Sequence, residues 1–338
     1  MQQKPDAHWP PLSLPTPIRE AAGPLAARFW LKHEGLTHAT YGGNKPRKIL
    51  ALLAEAERRD ARRILTLGAA GSHHVLTTAL FARARGLPVA AVLTAQPATP
   101  HALDTLRAAV LQGVAVHAAP QLLDVPLALL DAYEPGDYFI PPGGSNRIGA
   151  LGYVAAVAEL AAQIRAGELP EPELVVVPLG SGGTAAGLLA GILQQGLKSR
   201  VVGVLALRQP LLRARVVRLA RQVLATLGTP KAAREVSARL ELDASEVGPG
   251  YGHATPSALA ARDVARESLA LELDVTYTAK AFAAVLARLA GAAGTGKTPR
   301  ILYVHTLSAA PLERLLVGAP SRAEVQRRWP ELLVEGEL

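Results

Sequence analysis

Short apolar runs alternate with longer segments of helical spacing along most of the chain. The runs 63–68 and 174–178 are rich in Ile, Leu and Val, which is typical of buried parallel strands. The segments that follow such runs repeat apolar residues at helical spacing. This alternation predicts a mostly parallel sheet with helices on both faces. The pattern predicts strands at 28–33, 63–68, 88–93, 114–118, 138–140, 174–178, 200–207 and 300–304, and helices at 49–59, 75–85, 101–111, 122–133, 149–166, 185–194, 211–227, 232–240, 256–270 and 280–290.

The connecting segments are marked by proline and glycine. Residues 1–27 are expected to form an extended arm, because Pro15 and Pro17 cannot lie inside a helix. Residues 248–252 are expected to form a loop, and residues 291–296 a flexible turn.

Composition indicates a globular enzyme-sized chain. The 338 residues are 49% hydrophobic and 19% charged, which suits two domains or one large α/β unit. The absence of cysteine excludes disulfides and thiolate chemistry. No continuous apolar run is long enough to cross a bilayer, and the proline-rich start lacks the pattern of a signal peptide. We therefore expect a cytoplasmic protein without a membrane partner.

The net charge of +8 raises the question of nucleic-acid binding. The basic residues do not gather with aromatic residues, which make up only 4% of the chain. The densest basic stretch, 208–221, has helical spacing and is typical of a solvated helix face. We expect no nucleic-acid partner.

A glycine-rich run directly follows the strand predicted at 174–178. In such a strand–loop–helix turn, backbone N–H groups and the helix dipole can bind a phosphate. The run lacks the Lys-Ser/Thr of a Walker loop, and no acidic residue ends the next strand to hold a ribose. The alternative is a tight turn without a ligand. The run comprises Gly180, Ser181, Gly182, Gly183 and Thr184.

A lysine follows two glycines near the start of the helix predicted at 49–59. An amine at this place can attack a carbonyl group, although Lys45 could also be a surface lysine at a helix start. A phosphate nest and such a lysine, without a metal-ligand cluster, together suggest pyridoxal phosphate. That cofactor needs a lysine for its aldehyde and an anion cradle for its phosphate.

A series of motifs carries a family resemblance. In this order and spacing, the motifs resemble the D-cysteine desulfhydrase / 1-aminocyclopropane-1-carboxylate deaminase family over residues 14–315. The series comprises 41–48 (YGGNKPRK), 71–74 (GSHH), 143–146 (GGSN), 149–153 (GALGY), 180–187 (GSGGTAAG), 248–251 (GPGY), 277–280 (YTAK) and 305–306 (HT).

The resemblance implies an α/β fold of the tryptophan-synthase-β type, with two lobes and three-layer parallel sheets. Residues 1–47 and 151–338 would form a large cofactor-binding lobe, and residues 48–150 a small lobe. It also implies a homodimer.

The resemblance also implies roles in cofactor binding. Lys45 would form the Schiff base with pyridoxal 5'-phosphate and later move the substrate Cα proton. Lys48 and the backbone of 180–184 would hold the phosphate. Thr306 would lie near the pyridine nitrogen. His73 replaces a family asparagine that would contact the cofactor or the substrate carboxylate.

Further residues are implied for the substrate. Ser72 would sit beside its carboxylate and assist proton transfer as a catalytic residue, with His73 and His74 in the same loop. Tyr251 and Tyr277 would approach substrate and cofactor as catalytic residues. Leu307 would line the pocket in place of a family glycine, with Ser308 in place of the next one.

Two threonines help to choose within the family. The deaminase pattern has Glu where this chain has Thr278, and Leu where it has Thr306. Both threonines resemble the desulfhydrase pattern instead. The altered residues His73, Leu307 and Ser308 leave the substrate open, and His73 could also be a structural histidine at a helix start.

The leading hypothesis is a pyridoxal-phosphate-dependent lyase acting on a small amino acid, most like D-cysteine desulfhydrase. The products would be a 2-oxo acid, ammonia and a thiol or sulfide. One alternative is a 1-aminocyclopropane-1-carboxylate deaminase or a cysteate sulfo-lyase. Another is a cofactor-binding protein without turnover.

Overall fold

The computed structural model describes residues 11–21, 25, 29–292 and 298–334. It forms two compact units. The larger is built from Leu12–Lys48 and Ser145–Ala309, and the smaller from Ile49–Gly144 and 310–334, each within the described residues. Most of the arm 1–27 and of the turn 291–296 lies outside these residues.

The elements follow the predicted alternation of strands and helices. In chain order they are β1 (Ile18–Glu20), β2 (Trp30–His33), α1 (Lys45–Arg58), β3 (Arg63–Ala69), α2 (His73–Arg83), β4 (Val89–Thr94), β5 (Gln96–Pro97), α3 (Pro100–Leu111), β6 (Ala115–Ala118), α4 (Val125–Ala132), β7 (Asp137–Ile140), α5 (Arg147–Arg165), β8 (Leu174–Leu179), α6 (Gly183–Gln194), β9 (Arg200–Leu205), α7 (Leu212–Thr226), α8 (Val236–Arg239), β10 (Leu240–Asp243), α9 (Pro256–Leu269), α10 (Thr278–Ala292), β11 (Ile301–His305), α11 (Arg322–Arg328) and β12 (Leu333–Val334). Short 3-10 turns span Glu34–Leu36, Pro142–Gly144, Pro230–Arg234, Leu312–Leu315 and Pro330–Leu332.

A six-stranded sheet forms the centre of the larger unit, in the order β1-β2-β11-β8-β9-β10. Its strands are parallel except β1, which pairs antiparallel with β2. The carboxyl ends of parallel strands lie along one edge of a sheet, where α/β proteins place their ligands. The loops after β2, β8 and β11 therefore leave from the same edge.

Side chains of the central strands alternate between two buried layers. Val175 and Val177 of β8 pack with α5, α6 and α7, whereas Val176 between them packs with α9 and α10. A parallel strand covered on both faces is apolar at every position, which explains the continuous Val-rich run. The unit is thus a three-layer arrangement, and the predicted fold class is confirmed.

Helices α5 and α6 pack closely because α6 has glycines at the contact. A Cβ built on Gly187 would lie 2.5 Å from the Cβ of Tyr153, and one on Gly191 would lie 2.6 Å from that of Val157. Among the described residues, α5 is long and apolar enough to cross a membrane by length and composition. Half of that stretch is buried, and the helix carries Glu159, which pairs with Arg47. It therefore serves as a core helix.

The smaller unit has its own parallel sheet, in the order β6-β4-β3-β7. Leu65 and Val92 pack with α4 on one face, and α2 contacts β3 and β4. The two-residue strands β5 and β12 pair with each other. Ser72 caps the amino end of α2, with its hydroxyl accepting from the N–H of Val75 at 3.4 Å.

Two expectations about the chain differ from the structure. Residues 310–334 belong to the smaller unit, not to the large lobe, because β12 pairs with β5 and Arg322 forms an ion pair with Asp104 of α3. The helix predicted at 232–240 is instead a 3-10 turn at Pro230–Arg234 followed by the four-residue helix α8, and 240–243 forms strand β10 beside β9. Its Leu-Glu-Leu-Asp sequence alternates, as an edge strand does.

A third difference concerns the lysine itself. Helix α1 begins at Lys45, earlier than predicted, so the lysine lies in the first helical turn. Pro46 follows it there, and proline is tolerated in the first turn because that N–H has no helical acceptor.

Glycine at position 187 is predicted to be required by packing. Gly187→Ala should lower the free energy of unfolding by roughly 1–3 kcal/mol, because the added methyl group would push α5 and α6 apart. Gly291→Ala is the matched control, since Gly291 lies in α10 and a Cβ there would meet nothing within 4 Å. It should leave stability unchanged or raise it by at most ~1 kcal/mol. Urea unfolding followed by circular dichroism measures both, and equal effects would contradict the packing argument.

Candidate active site

The loop that carries Lys45 is held against the end of strand β11. The N–H of Asn44 donates to the carbonyl of Thr306 at 3.1 Å, and the N–H of Gly42 donates to the Ser308 hydroxyl at 3.0 Å. Gly43 has a φ of 91°, and a Cβ there would lie 2.6 Å from the same Thr306 carbonyl. The two glycines therefore allow a close approach and a left-handed turn that other residues would strain.

The amine of Lys45 is connected to the glycine-rich loop through one side chain. Lys45 Nζ donates to Asn44 Oδ1 at 2.7 Å, and Asn44 Nδ2 donates to Thr184 Oγ1 at 3.0 Å. Lys45 is partly buried, while Asn44 and Thr184 are buried. The structure thus brings together two segments that are far apart in the sequence.

Burial changes the acidity of both lysines in the first turn of α1. It lowers the pKa of the Lys45 amine to about 8, against an opposing effect of the negative charge on Asp274. Burial and the positive charge of Lys45 lower the pKa of Lys48 well below its usual value. A lysine with a lowered pKa is a better nucleophile at neutral pH, because more of its amine is uncharged.

The glycine-rich loop follows the pattern of an anion-binding helix start. Gly182 has a φ of 93° and lies directly before α6, which begins at Gly183. The N–H of Gly183 donates to the Ser145 hydroxyl at 3.0 Å, and that hydroxyl lies 2.7 Å from the Ser181 hydroxyl. The first N–H groups of a helix lack acceptors within the helix, so this loop can hold a phosphate.

Two tyrosines lie together beside this loop. Tyr277 donates its hydroxyl hydrogen to the Tyr251 hydroxyl at 3.3 Å, and a Cβ on Gly180 would lie 3.0 Å from the Tyr277 ring. Burial raises the pKa of Tyr251, and it raises that of Tyr277 well above its usual value. Both phenols therefore stay protonated at neutral pH and can donate hydrogen bonds.

Asp274 positions Tyr277 and is a site residue that the sequence analysis missed. Its carboxylate accepts from the N–H groups of Thr276 at 3.1 Å, Tyr277 at 2.7 Å and Thr278 at 3.2 Å. It also accepts from the Thr278 hydroxyl at 2.6 Å. Aspartate commonly bonds the backbone N–H groups of the turn that follows it, and the position of Asp274 shortly before the helix predicted at 280–290 could have suggested this role.

The segment after β11 contains Thr306, Leu307 and Ser308, all partly exposed. The carbonyl of Leu307 lies against Gly35, where a Cβ would be 2.6 Å from it. Ser308 replaces a family glycine, and its hydroxyl is the acceptor for Gly42 described above. This departure from the family pattern therefore adds a contact to the lysine loop.

Two buried histidines stand side by side at the ends of β2 and β11. The rings of His33 and His305 are 5.0 Å apart in an edge-to-face arrangement. His305 Nε2 lies 3.1 Å from the carbonyl of Glu272, and the Nδ1 atoms of both rings have no hydrogen-bond partner among the described residues. Burial lowers the pKa of His33 to about 4 and that of His305 to about 3, so both are neutral at pH 7.

Ser72, His73 and His74 lie in the smaller unit. His73 Nε2 is 2.8 Å from Nε2 of His101, the histidine of α3, so one ring donates its N–H to the other. His74 is buried, and its Nε2 lies 2.9 Å from Thr66 Oγ1, which donates to the carbonyl of Ile140. The Thr66 oxygen thus accepts a hydrogen bond from His74, and this bond joins α2 to β3. The substrate contact of His74 stays a prediction.

Comparison with known proteins identifies the family of this chain. The sequence profile of the pyridoxal-phosphate-dependent enzymes matches residues 11–306. The chain belongs to this family.

Its relatives include D-cysteine desulfhydrases. The chain is 32% identical over 293 residues to that of Yersinia enterocolitica, covering 83% of this chain and 87% of the relative. It is 31% identical over 309 residues to that of Klebsiella pneumoniae, covering 87% and 92%. The predicted family, enzyme class and cofactor are therefore confirmed.

Solved structures show the same fold. An ACC deaminase homologue is 28% identical with a TM-score of 0.74, covering 92% of this chain and 97% of its own. A pyridoxal 5'-phosphate-dependent aspartate racemase is similar in fold, with a TM-score of 0.61 at 17% identity and coverage of 89% and 92%.

The larger unit fits the cofactor that the family requires. It contains a partly buried amine of lowered pKa on Lys45, a glycine-lined helix start at Gly183 and a hydroxyl on Thr306. The aldehyde of the cofactor needs the amine, and its phosphate needs the helix start.

The lowered pKa of Lys45 predicts a pH dependence of its reactivity. Only the neutral amine attacks an aldehyde, so the rate should rise with pH through about 8, rather than near the ~10.4 of a free lysine. Asp274→Asn should move the midpoint to lower pH, because it removes the negative charge that favours the ammonium form. The measurement is the initial rate of attachment of pyridoxal, which lacks a phosphate, to the apoenzyme at a series of pH values.

The control for this experiment is Asp131→Asn in the smaller unit. Asp131 is 86% exposed and lies outside the lysine loop, so its loss should leave the midpoint in place. If Asp274→Asn leaves the pH midpoint unchanged or raises it, the electrostatic argument is contradicted.

Proposed function

We propose that this chain is a pyridoxal-phosphate-dependent lyase that eliminates a β-substituent from a small amino acid, most like D-cysteine desulfhydrase. The proposal depends on the connection of Lys45 through Asn44 to Thr184 of the glycine-rich loop. This connection joins a nucleophilic amine to an anion cradle. The relatives named D-cysteine desulfhydrase support the choice of substrate class.

The bound cofactor supplies an aldehyde for an amine and a ring that withdraws electrons from the substrate Cα. Lys45 would hold the aldehyde of the cofactor and would take the proton from the substrate Cα. Its lowered pKa suits proton transfer near neutral pH. Lys48 and the backbone N–H groups of 180–184 would hold the phosphate, and Thr306 would offer a neutral hydroxyl to the pyridine ring.

The remaining assignments complete the proposed site. Tyr251 and Tyr277 donate hydrogen bonds to substrate or cofactor, as their raised pKa values allow. Leu307 lines the substrate pocket. For the smaller unit the proposal rests on the family resemblance, which makes Ser72, His73 and His74 substrate-contacting residues.

A second candidate is a deaminase of 1-aminocyclopropane-1-carboxylate. The ACC deaminase homologue among the solved structures favours it. Cysteate sulfo-lyase activity is a third candidate, because His73 stands in place of a family asparagine and would suit an additional anion in its cationic form. A cofactor-binding protein without turnover is the alternative from another class.

We also propose that the enzyme acts in the cytoplasm as a homodimer. Four leucines of the smaller unit, Leu122, Leu123, Leu127 and Leu130, are 73–86% exposed in and next to α4, and such apolar surfaces often bind other proteins. Sedimentation equilibrium should give about twice the chain mass of 35.4 kDa. A mass of one chain at micromolar concentration would contradict the dimer.

The test of function is a substrate panel on the purified enzyme. D- and L-cysteine, cysteate and 1-aminocyclopropane-1-carboxylate are each assayed for 2-oxo acid, sulfide or sulfite. We expect pyruvate and sulfide from cysteine, whereas 2-oxobutyrate from the cyclopropane would favour the second candidate. A cofactor absorbance that amino acids shift without any product would favour the protein without turnover.

Lys45→Ala should abolish both turnover and the visible absorbance of the attached cofactor, because it removes the amine proposed to attach the aldehyde. Lys198→Ala, at an exposed surface lysine, is the matched control and should keep both. Borohydride reduction and peptide mapping should locate the cofactor on Lys45. A cofactor found on another lysine would show that Lys45 is misassigned.

A further inference from the structure

Arg47 lies in the first turn of α1, two residues after Lys45, and its side chain is buried. Its guanidinium makes paired contacts with two carboxylates. Nε and Nη2 donate to Glu34 at 2.6 and 3.0 Å, and Nη1 and Nη2 donate to Glu159 at 2.6 and 2.9 Å. Planar guanidinium–carboxylate forks fix direction as well as distance.

The surroundings of this fork are balanced in charge. Lys32 Nζ donates to Gln163 Oε1 at 2.9 Å and lies 3.7 Å from Glu159 Oε2. Tyr153 donates its hydroxyl hydrogen to Glu34 at 2.9 Å. Lys32 and Arg47 thus face the carboxylates of Glu34 and Glu159, and hydrogen bonds satisfy the groups that burial removes from water.

The backbone of the same turn is held independently of the side chain. A Cβ built on Gly152 of α5 would lie 2.7 Å from the carbonyl carbon of Arg47. Helix α5 therefore contacts the main chain of Arg47 directly, and the same helix supplies Glu159. The turn cannot rotate without breaking the fork or moving α5.

Helix geometry relates this anchor to the lysines. Successive residues turn by ~100°, so Arg47 points to nearly the opposite side from Lys45, whereas Lys48 lies on the same side as Lys45. The effect of the Lys45 charge on Lys48 agrees with this arrangement. By fixing the direction of the Arg47 side chain, the two carboxylates fix how the first turn of α1 is rotated about the helix axis, and therefore where both lysines point.

Buried ion pairs contribute little net stability compared with apolar packing, and their best-attested use is to specify geometry. We propose that Arg47, held by Glu34 and Glu159, is the positioning residue that aims Lys45 at the cofactor aldehyde. This inference rests on the proposed role of Lys45. Arg47 itself contacts neither cofactor nor substrate.

The test compares Arg47→Lys with Arg63→Lys. Arg47→Lys keeps the positive charge but loses the fork. Arg63 makes a comparable fork with Asp137 in the smaller unit, at 2.8 and 2.7 Å, and provides the matched control. For each variant, the rate of pyridoxal phosphate attachment at saturating cofactor is measured together with kcat, KM and urea unfolding.

Arg47→Lys should slow cofactor attachment and lower kcat by about 10- to 100-fold, because displacing a reacting group by ~1 Å has an effect of this size. KM should change less than kcat. Arg63→Lys should change attachment and kcat by less than twofold, even where its loss of stability is similar. Equal slowing in both variants, or attachment within twofold of wild type in Arg47→Lys, overturns the proposal.

Glu159→Gln provides a milder variant if Arg47→Lys does not fold. Glu159 is 16% exposed, and its replacement leaves the Glu34 fork in place. Attachment should slow severalfold at unchanged affinity for pyridoxine 5'-phosphate, which binds without an aldehyde. An unchanged attachment rate in a folded Glu159→Gln enzyme overturns the proposal.

Measurements on the wild-type enzyme distinguish a failure of the proposed function from a failure of the positioning role of Arg47. A wild-type protein that attaches no cofactor at Lys45 contradicts the proposed function itself, and with it the inference. Normal attachment in the wild type and in the Arg47 and Glu159 variants contradicts only the positioning role.

Discussion

The larger unit depends on a constraint that acts on the first turn of helix α1. This turn must keep two lysine amines away from bulk water on one side, and each buried amine resists carrying a charge. On the opposite side it is tied to the core by the fork of Arg47 with Glu34 and Glu159. Carboxylates balance the charge of Arg47 where the turn meets the core, whereas the two lysine amines lie on the other side, where an anionic, carbonyl-bearing ligand would bind. The same turn therefore combines a rigid support with reactive amines.

Close backbone approaches transmit this constraint to the rest of the unit. Gly43 meets the Thr306 carbonyl, Gly152 meets the backbone of Arg47, and Gly183 meets Ser145, where a Cβ would lie 2.5 Å from its hydroxyl. Each contact joins segments that are distant in sequence, and any side chain at these glycines would have to displace a neighbouring group. The parallel sheet makes such contacts possible, because the loops after β2, β8 and β11 leave from one edge.

The structure also gives a physical account of two departures from the family pattern. Ser308 is bonded to the N–H of Gly42, so it supports the lysine loop where a glycine could offer no side-chain acceptor. His73 shares a hydrogen bond with His101, which comes from the following helix. The sequence shows both histidines but not their contact.

Alternation of apolar runs was enough to predict the parallel α/β fold, since strands buried on both faces need apolar residues at every position. The presence of Lys45 near a helix start and of the glycine run 180–184 was enough to suggest the cofactor, because these residue types are chemically suited to an aldehyde and a phosphate. Only the tertiary structure decided which groups meet: Asn44 with Thr184, Asp274 with the backbone of Tyr277, and Arg47 with its carboxylates. It also decided that 310–334 joins the smaller unit and that 240–243 is a strand. Local pattern records which face of an element is buried, whereas hydrogen bonds between distant segments depend on how the whole chain packs.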